Sequence, residues 1–468
     1  MNTSVYINEN NKKSLSIVVI SILIGGMSSL FNIWFLLLWC CLIIAFIFLF
    51  KPKLFIYSIL MLVPYTQLIM YLIQKYNLFV GIVIMPTDLL FFGLLLYSIF
   101  IFFLKNECKS IQFEKRYMTI QIIFLTYIVI QIARGYLIGY NDSTAHGRGL
   151  VLYSITVLLC MKIVKIDPKR LIQFIIISSI IFTAIEWCIA LLLIPDLPQY
   201  GGGLFGLMRP NFYLDPMYNV IAVGICLAYF NIFGVRKWIF FALLCNLSAV
   251  FISNTRSFWI GVIIQILLFF ICQAKFKPKG FNLTLKKVLA IVLSIIIIMG
   301  LGINAIQTDS FQKLQLNYMK SDESVIYRVE ETKDALNEYW DNPLIGKGIG
   351  TPLKRHFIEV DGIDNSSFIH NQYVFILLNI GIIGLMIFVI YLYSLLKVCN
   401  VYIKKTRESN GGVLALSFIY ITISGAVISI TSPQFTNITV IPYLAVLAGV
   451  VINEYLIFDL NRGGKDGK

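Results

Sequence analysis

"HNQYVFILLNIGIIGLMIFVIYLYSLL", residues 370–396, decides the fold. After its histidine the stretch holds no acidic or basic side chain, and its apolar residues do not alternate with polar ones. A helix rises ~1.5 Å per residue, so about 20 such residues cross ~30 Å of hydrocarbon. The stretch therefore reads as a membrane-spanning helix, entered through a histidine and an asparagine.

The rest of the chain repeats the pattern. Of 468 residues, 58% are hydrophobic and only 13% are charged, where a soluble domain averages roughly 25% charged. Runs such as Leu15–Phe31, Trp34–Phe50, Leu171–Ile194 and Val288–Ala305 are also long enough to span. The fold class is an all-α polytopic integral membrane protein of about 12–14 transmembrane helices. The alternation of barrel strands is absent. Fourteen candidate spans cover residues 14–31, 33–50, 54–73, 86–104, 117–133, 148–164, 171–194, 214–233, 238–255, 257–273, 287–306, 370–396, 412–431 and 438–457.

The net charge of +14 would suggest nucleic acid in a soluble protein. In a membrane protein, Lys and Arg instead mark cytoplasmic loops, so no nucleic-acid partner is expected. One set of alternating loops holds 26 of the 38 cations. That set includes both ends of the chain, so both termini are read as cytoplasmic. Lys12 and Lys13 precede an apolar run with no small-residue cleavage site, which reads as an uncleaved first span. The nine cysteines sit in apolar runs or basic loops without a CxxC pair, so neither a disulfide framework nor a thiolate metal site is inferred.

Three regions follow: a transmembrane bundle at 1–306, an outer cap loop at 307–369, and C-terminal transmembrane helices at 370–458. In the cap, "DESVIYRVEETKDALNEYW" (322–340) repeats Val325, Val329, Leu336 and Trp340 at helical spacing. "DNPLIGKGIG" (341–350) stops that helix with a proline and glycines. The apolar stripe is expected to face the membrane, with Arg328 beside it.

Arg134, Arg148, Arg209, Arg256 and Arg328 lie on the outer side, against the bias that set the topology. Any one could snorkel; five together point to an anion. Arg256, in "NTRSFWIG" (254–261), breaks two apolar runs without an acid nearby in sequence. A planar guanidinium matches phosphate oxygens. His370 precedes Gly381 by about three helical turns, with Gly384 about 40° away, so all three are expected on one helix face. Small residues there would let another helix pack closely. His370 is either a helix-start residue or a base that titrates in the neutral range. Asn371 is either a helix cap or a positioning group.

"HN", nine residues, then "GIIG" resembles the H-[NSQ]-x9-G-x-x-[GTY] signature of the bacterial O-antigen ligase and O-antigen polymerase superfamily. "TRSFWIG" resembles its arginine-serine segment, and "YRVEETKDALNEYWDNPLIGKGIGT" (327–351) its cap helix and following turn. The likeness covers about residues 240–400. It implies a C-type glycosyltransferase fold in the bacterial inner membrane, with the active site on the extracytoplasmic face. The implied donor is an undecaprenyl diphosphate-linked oligosaccharide and the implied acceptor a glycan hydroxyl, with a chain-length regulator, a flippase and membrane lipid as further partners. His370 and Asn371 would be catalytic, and Arg256, Arg328, Arg209 and Arg148 would bind the diphosphate. No cofactor and no metal are expected, since no outer acidic D-x-D motif is present. The leading reading is a polymerase of O-antigen, capsule or exopolysaccharide repeat units. A ligase onto lipid A–core is the alternative, and a lipid-linked oligosaccharide flippase is the alternative of another class. A flippase would need polar residues along a path through the bundle, and Glu186 is one of few candidates.

Overall fold

The computed structural model describes residues 52–66, 68–69, 115–162, 166–192, 214–253, 255–276, 323–356, 367–406 and 408–463. The expected spans at 14–31, 33–50, 86–104 and 287–306, and Arg209, lie outside them. The chain divides into units 1–55 and 56–468, and apart from the first residues of α1 all that follows concerns the second.

Among the described residues the structure is helical, without a strand. In chain order the helices are α1 (Pro52–Leu62), α2 (Lys115–Ile138), α3 (Ser143–Lys162), α4 (Pro168–Leu192), α5 (Met217–Phe233), α6 (Lys237–Ile252), α7 (Arg256–Phe276), α8 (Glu323–Tyr339), α9 (Gln372–Lys405), α10 (Asn410–Ile428) and α11 (Ile441–Gly463). Six are long and apolar enough to cross a membrane: α2, α4, α7, α9, α10 and α11.

Sequence explains which helices sit inside. α5 is apolar on every side, and all but its last residue is buried, as an all-round hydrophobic helix must be. It packs on α6, α7 and α10, while α11 packs along α3 and α10. α7 instead leaves Ile260, Ile263, Leu267 and Ile271 exposed. These recur at helical spacing and form an outward apolar face. α2 does the same with Ile122, Ile123, Val129 and Ile130. Phe124 of α2 stacks on Tyr391 of α9 at 4.5 Å between centroids, and Tyr153 of α3 meets the same ring edge-on at 5.5 Å. Glu186, buried in α4, accepts a 2.5 Å hydrogen bond from Asn219 of α5. That contact ties the one mid-span acid of interest into helix packing.

α9 is not one straight helix. Gly381 takes φ 69°, ψ −176° in its interior. The turn after α8 fills the gap. Lys347 and Gly348 donate their backbone N–H groups to Leu378 and Asn379 oxygens at 2.8 and 2.9 Å. In return, Ile382 and Ile383 donate to Pro343 and Leu344 oxygens at 2.9 and 3.1 Å. The inserted turn thus replaces the hydrogen bonds that the break removes, as hydrocarbon demands. Gly381 and Gly346 make this approach possible: a Cβ on Gly381 would lie 2.4 Å from the Leu344 oxygen, and one on Gly346 would lie 2.5 Å from the Asn379 carbonyl carbon.

This corrects the expected role of Gly381. Gly381 admits a loop backbone, and a Cβ on Gly384 would meet the Ile380 side chain of its own helix. Gly381 thus serves the approach of a loop and not of a neighbouring helix. The common face with His370 also fails, because His370 precedes the helix and the helix is broken at Gly381.

Candidate active site

The site is built on a helix start. Asn371 is the N-cap of α9, and its side-chain oxygen accepts from the N–H groups of Tyr373 and Val374 at 3.1 and 3.3 Å. The structure therefore gives Asn371 the capping role of its two expected ones. Gln372 anchors the same corner: its N–H donates to the Ser429 oxygen at 3.0 Å, and its Oε1 accepts from the N–H groups of Gln434 and Phe435 at 2.7 and 2.8 Å.

His370 stands just ahead of this cap, half-buried. Glu331 of α8 reaches it with one oxygen. That oxygen, Oε2, lies 3.0 Å from the His370 Nδ1 and accepts the His370 backbone N–H at 2.8 Å. The other oxygen, Oε1, accepts from Arg355 at 2.9 Å, and the same guanidinium nitrogen donates to the Phe368 oxygen at 2.6 Å. Glu331 is fully buried and the Arg355 side chain almost so. Burial alone would push the Glu331 carboxyl up, but hydrogen bonds from His370 and Arg355 outweigh it and hold the group below its usual range. An ionised Glu331 is acceptor-only, so Nδ1 carries the hydrogen in that contact. In the neutral ring Nε2 is then the basic nitrogen. Edges of Tyr327 and Phe368 flank the ring, at 5.8 and 4.9 Å between centroids.

Sequence reasoning missed Glu331 and Arg355. Val329 and Trp340 of the apolar stripe are 47% and 71% exposed, so these two point away from the protein. The inward face carries Ala335 and three acids at helical spacing. Glu331 holds Arg355, Asp334 accepts the His356 N–H at 2.9 Å, and Glu338 accepts the Lys354 N–H at 2.8 Å. The returning segment lies along these acids. That i, i+3, i+7 run of carboxylates was the available signal. Arg328 falls about 20° from the buried Ala335 on the helical wheel, so it belongs to the inward side, half-buried.

The other expected arginines are placed by their helices. Arg256 opens α7, behind a corner where the Trp259 ring nitrogen donates to the Val250 oxygen at 3.0 Å. A Cβ on Gly261, in the same end of α7, would touch Ile428 at the end of α10, and Ser429 follows to hold Gln372. Arg148 of α3 precedes Gly149, whose Cβ would lie 2.6 Å from the Thr436 oxygen, beside the 434–435 segment bound to Gln372. Arg256, Arg328 and Arg148 thus sit on elements that meet at the end of the bundle bearing His370. Arg134 does something different: it donates to the Gly346 oxygen at 2.8 Å and so fastens the inserted turn.

A second cluster adjoins the first. The Ser367 hydroxyl donates to Asp142 at 2.5 Å and lies 2.8 Å from His146 Nε2. It ties the segment leading into His370 to the start of α3.

A polytopic helical protein whose cap helix orients the His370 imidazole at one end of the bundle is the class these features define. Residues 241–389 match the family model described as O-antigen ligase. This segment, which runs from α6 through the Gly381 break, is similar to that family over about a third of the chain and agrees with the O-antigen ligase and polymerase resemblance read from the sequence. The match supports an enzyme of polysaccharide assembly. Comparison with curated proteins gives no match.

Proposed function

We propose that the protein is a glycosyltransferase of cell-surface polysaccharide assembly, which moves a glycan from undecaprenyl diphosphate to a sugar hydroxyl on the outer face of the inner membrane. The Glu331–His370 contact is the observation that carries this reading. Nε2 takes the proton of the acceptor hydroxyl as its oxygen bonds to the anomeric carbon. The bond from that carbon to the diphosphate oxygen breaks, and its electron pair leaves with the lipid diphosphate. Glu331 stabilises the imidazolium that forms, as a carboxylate does beside a catalytic histidine. Arg256, Arg328 and Arg148 are proposed to bind the departing diphosphate, whose growing charge favours fixed guanidinium groups. The acceptor is proposed to be a second lipid-linked repeat unit, which makes the enzyme a polymerase.

The test uses purified protein in lipid with a lipid-linked repeat unit alone. Long glycans on lipid support the polymerase. Product only after lipid A–core is added assigns the ligase instead. Donor transport with no new glycosidic bond, or full activity of His370→Ala, overturns the reading.

A further inference from the structure

The turn after α8 lies deeper than an outer loop should. Its backbone is bonded to Leu378, Asn379, Ile382 and Ile383 of α9, not to the helix start. Gly381 is nine residues past Gln372, or about 14 Å down the axis. In the other direction α9 ends on exposed Lys397, Lys404 and Lys405. Gly381 stands roughly 24 Å above Lys397 and roughly 35 Å above Lys404 along the axis, which brackets a ~30 Å hydrocarbon layer. The break therefore falls at the far boundary of that layer.

The side chains beside the break agree. Trp340, Leu344 and Ile345 are 71%, 63% and 44% exposed. The Leu344 oxygen bonds the Ile383 N–H, and exposed Ile383, Met386, Val389 and Ile390 continue down α9. The apolar surface of the turn thus runs on into the outward face of a membrane helix. Charge is managed within it, since Lys347 pairs with Glu338 and Asp341 at 2.9 and 2.8 Å. A tryptophan above aliphatic side chains is the arrangement of a membrane boundary.

We propose that residues 340–345 form a re-entrant foot of the cap, with Trp340, Leu344 and Ile345 seated in bilayer lipid. The cap helix then rides on the membrane rather than standing clear of it. The full chain is reconstituted in nanodiscs whose acyl chains are brominated near the headgroup. The Trp340 signal is the fluorescence lost in Trp340→Phe, which leaves the other five of six tryptophans in place. Bromolipid should lower that signal roughly twofold or more, with little quenching by aqueous iodide, as for a boundary tryptophan. Leu344→Trp in the Trp340→Phe background should behave alike. Quenching by iodide and not by bromolipid overturns the proposal, as does protection from both, which would mean that a second copy covers the foot. Glycosyl transfer is not read, so the result is independent of the catalytic assignment.

Discussion

Glu331 Oε2 accepts two hydrogen bonds from one residue, the ring Nδ1 of His370 at 3.0 Å and its backbone N–H at 2.8 Å. The first sets the tautomer and the second sets the position of the ring, so this carboxylate makes Nε2 the basic nitrogen. Glu331→Gln keeps the volume but lets the amide hold the wrong ring tautomer. It should lower turnover about 10²- to 10⁴-fold with a smaller change in KM, the range seen when a histidine base loses its orienting acid. Steady-state kinetics with a lipid-linked donor checks this. Equal activity of the variant would remove the base from the mechanism.

The same carboxylate makes stability depend on pH. Its native pKa lies below its ordinary value of 4.5, held there by His370 and Arg355 against the effect of burial. A depressed native pKa gives stability that is present above 4.5 and is lost as pH falls through the native value. Thermal unfolding in detergent should therefore show an acid limb beginning below pH 4.5. Glu331→Gln should flatten that limb while lowering stability at neutral pH, because it leaves Arg355 buried without its counter-charge. An unchanged acid limb in Glu331→Gln would assign it to other carboxylates.

How far the sequence reached depends on what each feature answers to. Apolar length is a local property, so α4, α7, α9, α10 and α11 were legible from single runs. His370 and Arg256 were legible as polar groups in unlikely places. Glu331 was hidden because an acid on a cap helix normally faces water, and its partners Arg355 and His370, 24 and 39 residues on, make burial affordable. The stripe through Val329 and Trp340 was legible as apolar, but spacing alone does not say whether such a stripe faces lipid or protein. The break in α9 was illegible because the residues that complete it come from the turn after α8, within the cap loop, and periodicity assumes an unbroken helix.

Gly381 tests that break directly. With φ at 69°, any L side chain is strained there, and a Cβ would press on the Leu344 oxygen at 2.4 Å. Gly381→Ala should destabilise by about 2 kcal/mol or more. Gly384→Ala should cost less, since its backbone is helical and its Cβ presses on the Ile380 side chain and not on a carbonyl oxygen. Unfolding midpoints of the two variants make the comparison. A milder effect at Gly381 than at Gly384 would mean that the inserted turn is not held as described.

Ser367 extends the argument from the ring to the segment that carries it. Its hydroxyl has one hydrogen, given to Asp142 at 2.5 Å, so the 2.8 Å contact to His146 is one in which Nε2 donates. Two groups of the α3 start thereby fix a buried residue three positions ahead of His370. Ser367→Ala should remove both bonds and let that segment shift, lowering turnover about tenfold, in line with small misplacements of a catalytic group. Ser367→Thr retains the hydroxyl and should recover most of the rate. His146→Gln, which keeps a side-chain N–H donor, should be milder than His146→Leu. Loss of activity in Ser367→Thr as severe as in Ser367→Ala would show that the site needs the space at this position and not the hydroxyl.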